Sequence, residues 1–264
     1  MQLGIITDNR KWDESEFIEA KKRGLKFLEY CVNIDIDALG FAARKEEFKG
    51  YVDKHGVGVG SVGRWGSDRI NPDGTINEEE YKITEALIDF CEYVGCNVFV
   101  MGCNAPEGRT LYDNIVSAVN LFRKVVDYGE KHNVKIAVYN CDWNNFIYEE
   151  KMWDIILPAV PGLGIKFDAS HAIHRKSDWE KQMRDYGNKF YHVHLKGVQY
   201  INGQLYDNPP AGLDQMNWGS YFNLIYLLKY DRTMSIEPHS AFWQGEIGEK
   251  GIDYSVEYLR KFLL

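Results

Sequence analysis

Residues 98–139 read VFVMGCNAPEGRTLYDNIVSAVNLFRKVVDYGEKHNVKIAVY, and they contain one complete structural unit. Residues 98–101 are a short apolar run, which reads as a strand. A polar break follows. Over residues 111–131 the apolar side chains recur at helical spacing, and residues 135–139 form a second short apolar run. Strand, helix and strand of these lengths in that order predict a parallel βαβ unit.

The same unit recurs in both directions from this segment. Strands are predicted over residues 3–7, 27–32, 57–62, 163–167, 190–195 and 234–236. Helices are predicted over residues 14–23, 44–55, 78–94, 152–157, 179–184, 218–229 and 254–263. A polar loop holds Asn71-Pro72-Asp73-Gly74, and a long loop precedes the helix that starts at Trp218. About eight strand–helix units predict an α/β fold, a parallel (β/α)8 TIM barrel. The alternative is an open doubly wound sheet. Such sheets often carry a GxGxxG turn after the first strand, but this chain has Thr7-Asp8-Asn9-Arg10 there. Gly58, Gly60 and Gly63 are not spaced to cradle a phosphate.

The chain has 264 residues, 45% hydrophobic and 27% charged, with no linker-like or low-complexity tract. One domain over residues 1–264 is the simplest expectation. A net charge of −8 disfavours binding to a phosphate backbone, so no nucleic-acid partner is expected. No apolar run is long enough to span a bilayer, so no membrane partner is expected either. The first residues read as a strand and not as a signal peptide. The five cysteines, Cys31, Cys91, Cys96, Cys103 and Cys141, are odd in number and form no CxxC pair. A reducing, cytoplasmic location is the expectation.

In a β/α barrel the chemistry sits at the C-terminal ends of the strands. The sixth predicted strand ends in Asp168-Ala169-Ser170-His171. The seventh holds His192-Val193-His194-Leu195-Lys196, and the eighth ends in Glu237-Pro238-His239. Five of the seven histidines lie at these three ends. Neighbouring strands are about 4.8 Å apart, so Asp168, His194 and Glu237 are predicted to converge on one divalent ion. Mixed carboxylate and imidazole ligands suit Mn²⁺, Co²⁺, Mg²⁺, Fe²⁺ or Zn²⁺ without choosing among them. His192 lies on the same face, one layer deeper than His194. His174 and His239 read as supporting or surface groups. Trp65, Trp143 and Trp243 follow predicted strands and are candidates to line a sugar site or simply to cap the barrel. Arg64 and Lys196 are candidates to bind an anionic group of a substrate, or surface charges.

These segments resemble the xylose-isomerase-like superfamily of sugar and sugar-phosphate isomerases and epimerases. Residues 164–171, GIKFDASH, resemble its Asp-x-x-His motif. Residues 191–196, YHVHLK, resemble its His-x-His-x-Lys segment. Ser235-Ile236-Glu237 resembles its last-strand glutamate. The resemblance implies a metal-dependent enzyme of carbohydrate metabolism with one bound ion, and barrels that commonly form homo-oligomers. It makes Asp168, His194 and Glu237 metal ligands and His171 a substrate-binding histidine. The family's first ligand is a glutamate at the end of the fifth strand, where this chain has Tyr139.

That departure affects the chemistry. In the family's epimerases two glutamates flank the sugar and exchange its proton, while the metal polarises the carbonyl. With Tyr139 in place of one of them, a one-base reaction is expected. Glu237 removes the proton next to the carbonyl of a sugar or keto-sugar, and Tyr139 or His171 donates to the oxygen. Isomerisation, elimination or hydration fits this scheme. The alternative function is a catalytically degenerate barrel that binds a carbohydrate or a protein partner. An apurinic-site endonuclease shares the barrel, but it needs a multi-ion cluster and a basic face.

Overall fold

The computed structural model describes residues 1–7 and 12–264. Residues 8–11, where the sequence lacks a dinucleotide fingerprint, lie outside the described residues. The strands are β1 (Gln2–Ile6), β2 (Phe27–Cys31), β3 (Gly58–Arg64), β4 (Val98–Met101), β5 (Lys135–Tyr139), β6 (Gly164–Asp168), β7 (Phe190–Leu195), β8 (Gln199–Ile201), β9 (Gln204–Asp207) and β10 (Thr233–Ile236). Eight of them form a closed parallel barrel in the order β1-β10-β7-β6-β5-β4-β3-β2, while β8 and β9 pair only with each other. The first strand closes on the last with Gln2 opposite Thr233 and Ile5 opposite Ile236. The chain is a (β/α)8 barrel, and no sheet edge is left for an open doubly wound arrangement.

The helices are α1 (Glu14–Lys22), α2 (Ala38–Ala43), α3 (Lys45–His55), α4 (Glu78–Val94), α5 (Leu111–Lys131), α6 (Glu150–Ala159), α7 (Ala169–His174), α8 (Trp179–Tyr186), α9 (Trp218–Leu227) and α10 (Gly245–Arg260). Strong apolar periodicity and caps set the longest ones. Asn77 accepts from the backbone N–H groups of Glu79 and Glu80 at the start of α4, and Gly95 ends it in the left-handed region. Thr110 caps α5 in the same way.

The sequence reading misses four features, each for a local reason. The short α2 is nucleated by its cap Asp37, which accepts from Gly40 N–H, and six residues are too few to show a period. The short α7 follows β6 directly, with no polar break between them. The β8–β9 hairpin is mostly exposed, and its strands are only three and four residues long. The last helix starts at Gly245, well before its predicted first residue 254, because Gly245, Gly248 and Gly251 argue against a helix. Gly251 is required by packing: a Cβ there would lie 2.7 Å from Pro210 Cγ and 2.9 Å from Trp243 Cε3.

Aromatic rings fill the layer between barrel and helices, as in the Phe41–Phe90 pair at 4.7 Å and the Tyr30–Phe48 pair at 5.1 Å. Inside the barrel, Phe27 forms a floor. Added Cβ atoms at Gly4 and Gly60 would lie 2.4 and 2.1 Å from its ring, so both strands need glycine there. The Phe27 ring meets His192 edge-on at 6.1 Å, which places the polar groups of the barrel directly above it.

Candidate active site

Strand alternation and register assemble the site in layers. Lys166 of β6 lies opposite His192 of β7, and Asp168 lies opposite His194. His192 and His194 in turn lie opposite Thr233 and Ser235 of β10. With a side-chain period of two, Lys166 and Asp168 share one face, as do His192, His194 and Lys196. These side chains point into the barrel, and Glu237 completes the set just beyond β10.

Asp168 is fixed from both sides. Its backbone N–H donates to Asn140 Oδ1 at 2.9 Å, and Asn140 Nδ2 donates to its carbonyl at 2.9 Å. Its carboxylate also caps α7, with Oδ1 accepting from Ser170 N–H at 2.8 Å. The capping bond turns Oδ2 towards Lys196 and His171.

The three residues expected to share an ion do converge. One ligand atom each from Asp168, His194 and Glu237 lies within 4.8 Å of the others, and Glu29, His192 and His194 form a second such group. His194 Nδ1 lies 2.6 Å from Glu237 Oε2, and its Nε2 lies 2.9 and 3.0 Å from the two Glu29 oxygens. His192 Nε2 lies 2.8 Å from Glu29 Oε2, and its Nδ1 lies 2.7 Å from Thr233 Oγ1. Glu29 is fully buried.

Lys196 is the other centre of the site. Its Nζ lies 3.0 Å from Asp168 Oδ2 and 3.3 Å from Glu237 Oε1. It also lies 3.4 Å from His171 Nε2. The contact to Asp168 is an ion pair across a poorly aligned hydrogen bond, since Oδ2 has no well-directed donor. Lys166 and Lys196 are only 3% and 4% exposed.

The charges follow from this geometry. Burial pushes the Asp168 and Glu237 carboxyls up, but the surrounding positive groups together overcome it, Lys196 with His171 and Lys166 at Asp168 and Lys196 with His194 at Glu237, and both are held below the usual carboxylate range. Burial also opposes ionisation of Glu29, yet His194 and His192 hold it well below that range. For Lys196 burial favours the neutral amine, but Asp168 and Glu237 prevail and raise its pKa. Burial lowers His192. Burial also works against charge on His194, but the Glu29 and Glu237 carboxylates together overcome it and raise its pKa. His171 is pushed down to about 3, chiefly by burial, and is a neutral imidazole.

Three of the expected site residues lie away from the cluster, with partners of their own. Tyr139 is not aimed at the cluster. Its hydroxyl donates to the Trp143 carbonyl at 2.9 Å, and its ring stacks on Trp65 at 5.5 Å. A Cβ at Gly102 would lie 2.3 Å from the Tyr139 hydroxyl, so the ring leans over the end of β4. Arg64 does not wait for an anionic substrate. Its guanidinium binds Glu80 at 2.7 and 3.1 Å and the Asn33 carbonyl at 2.8 Å, and it is buried. Trp65 is buried as the stacking partner of Tyr139, so its face is not free for a sugar. Trp143 is 49% exposed, and Trp243 lines a cavity of about 360 Å³ that reaches Glu237 beside α1 and α10. His239 lines the same cavity, and His174 packs beside His171 and Tyr200.

The sequence reading passes over Glu29 and Lys166. Each carries a signal: a charged residue inside an otherwise apolar strand, FLEYC and GIKFD. Charges are buried at such positions only with partners.

The sequence matches the xylose isomerase-like TIM-barrel family over residues 17–262. The chain belongs to that family. Similar solved barrels include the D-psicose 3-epimerase of Clostridium cellulolyticum H10, solved with D-tagatose. Its TM-score is 0.82 at 14% identity, over 100% of this chain and 99% of that one. A probable 3-DHS dehydratase of petrobactin synthesis from Bacillus anthracis has a TM-score of 0.75 at 13% identity, over 98% and 99%. The IolI protein, solved with a bound zinc atom, has a TM-score of 0.73 at 14% identity, over 100% and 96%. No curated protein matches the chain by sequence. At these identities the likeness to the solved barrels is one of fold.

By residue type and spacing, Asp168, His194 and Glu237 form a group that could hold a divalent ion. An ion needs lone pairs aimed at one point. The facing Asp168 and Glu237 oxygens are turned to the Lys196 ammonium, and both His194 nitrogens are turned to carboxylates. Tyr139 donates its hydroxyl to the Trp143 carbonyl and not to this group. The Lys196 ammonium lies between the Asp168 and Glu237 oxygens that an ion in this group would take. Among the described residues, no helix is long and apolar enough to cross a membrane.

Proposed function

We propose that this barrel is an isomerase, epimerase or lyase acting on a sugar or keto-sugar by proton abstraction next to a carbonyl, with Glu237 as its base. The observation that carries this reading is the position of Glu237. It is the cluster carboxylate with an opening to the outside: its side chain is 14% exposed, whereas those of Asp168 and Glu29 are 0% exposed. It borders the cavity and is kept ionised.

One base supports a balanced reaction. Glu237 takes the proton from the carbon beside the carbonyl, and the electron pair moves onto the carbonyl oxygen. Lys196 and His171 stand beside Glu237 to hydrogen-bond that oxygen. Transfer of the neighbouring hydroxyl proton to the former carbonyl oxygen, with return of the abstracted proton to the former carbonyl carbon, gives the isomer. Protonation and loss of a hydroxyl one carbon further gives the elimination product and water. The carboxylate that a two-base epimerisation would need on the opposite face is not at position 139.

The test is solvent exchange. Keto-sugars incubated with the protein in D2O are expected to incorporate deuterium next to the carbonyl, read by proton NMR. Glu237→Gln, nearly isosteric, is expected to slow this by about 10²–10⁴-fold, the usual contribution of a general base. Exchange at the wild-type rate in the variant overturns the assignment of the base. Absence of exchange across the panel in the wild type overturns the reaction class.

A further inference from the structure

We infer that the Lys196 ammonium takes the place of the divalent ion in this barrel, with Lys166 behind it, so that the site holds its oxyanion without a metal. The inference rests on the proposed carbonyl chemistry for its catalytic meaning. Its structural content stands independently.

The first argument is position. Lys196 Nζ bridges a carboxylate oxygen of Asp168 at 3.0 Å and one of Glu237 at 3.3 Å. These are two of the three residues that otherwise make up the ion-binding group. A cation coordinated by these oxygens and the ammonium would compete for the same lone pairs. Lys196 reaches this point from the strand itself, two residues beyond His194, and its side chain is only 3% exposed. Burying an ammonium costs several kcal/mol unless it is paired. Asp168 and Glu237 are the partners that make this location stable.

The second argument is charge. The buried cluster holds three carboxylates, Glu29, Asp168 and Glu237, and two lysines, Lys166 and Lys196. The remaining single negative charge is shared by the two carboxylates that face opposite nitrogens of His194. A divalent ion added to this cluster would leave an excess of buried positive charge, and like charges in a low-dielectric interior repel strongly. Displacing Lys196 outward would not cure this, because Lys166 remains fixed in the layer below, opposite His192.

The third argument is what the ammonium can do. An ammonium has three donors and no acceptor. With Asp168 Oδ2 at 3.0 Å and Glu237 Oε1 at 3.3 Å, the remaining side of the ammonium faces His171 Nε2 at 3.4 Å. A substrate oxygen on which charge develops when Glu237 removes the neighbouring proton would take the N–H on that side in place of His171 Nε2. Charge-assisted hydrogen bonds of this kind stabilise an oxyanion directly.

The test reads metal binding and not turnover, so it is independent of the reaction class. Wild-type protein is dialysed against Mn²⁺, Co²⁺ or Zn²⁺, and its metal content is measured by mass spectrometry. Crystals soaked in Mn²⁺ are examined by anomalous diffraction. An ion bound to the native state raises Tm by mass action. The expected result is no anomalous peak between Asp168 and Glu237, density for Lys196 Nζ at that point, and the same Tm in EDTA as with each ion. An ion found elsewhere on the surface, with Lys196 still between the two carboxylates, agrees with the inference. Stoichiometric metal with an anomalous peak between Asp168 and Glu237 overturns it.

Discussion

Glu29 of β2 and His194 of β7 are 165 residues apart in sequence, and the carboxylate of one accepts from Nε2 of the other at 2.9 and 3.0 Å inside the barrel. Because Glu29 takes Nε2, the Nδ1 side of the ring is the one presented to Glu237, at 2.6 Å. Glu29 thus orients His194 without reaching the mouth of the barrel.

Loss of this carboxylate is expected to be costly. Glu29→Ala leaves two histidines buried against a cavity, and breaking a buried charged pair typically costs about 3–5 kcal/mol. Urea unfolding at neutral pH measures it. The pH dependence has a definite sign. The Glu29 pKa is depressed in the folded state by His194 and His192 against the opposing effect of burial. Its contribution to stability is therefore present above the unfolded carboxyl pKa of about 4.3 and is lost as pH falls through the folded value. Glu29→Gln is expected to flatten the acid limb of unfolding free energy against pH. An unchanged slope would show that Glu29 is not ionised in the fold.

Tyr139→Phe separates a structural tyrosine from a catalytic one. The substitution keeps the ring stacked on Trp65 and removes only the hydrogen bond to the Trp143 carbonyl. A single such bond is worth about 1 kcal/mol, so a small fall in Tm is expected. Turnover is expected to change by less than about tenfold, because a lost general acid costs about 10²–10⁴-fold. A fall of the larger size in kcat, with the fold intact, would return Tyr139 to the reaction.

His171 is expected to act as a neutral hydrogen-bonding group. Burial first, then Lys196, works against its charge, and Asp168 does not compensate, so its pKa is held down to about 3. An ordinary histidine titrates at about pH 5–8, and His171 is expected not to change charge there. His171→Asn should raise KM or lower kcat while leaving the shape of the pH–rate profile between those limits unchanged. Loss of an inflection in the variant would identify His171 as a titrating acid.

The sequence by itself determined the barrel, because each strand–helix unit states its own periodicity locally. Residues 78–94, 98–101, 111–131, 135–139 and 190–195 have the same bounds in the sequence reading and in the structure. It also determined that Asp168, His194 and Glu237 meet, since strand order and strand ends are properties of a one-dimensional pattern. Only the tertiary structure decided what those groups touch. Glu29 finds its histidines by crossing the closed barrel, and Lys196 enters the space between Asp168 and Glu237 from the end of β7. Tyr139 turns towards Trp65 and the space left by Gly102. Side-chain direction and charge pairing at the barrel axis depend on residues brought together from many strands, and no local period encodes them.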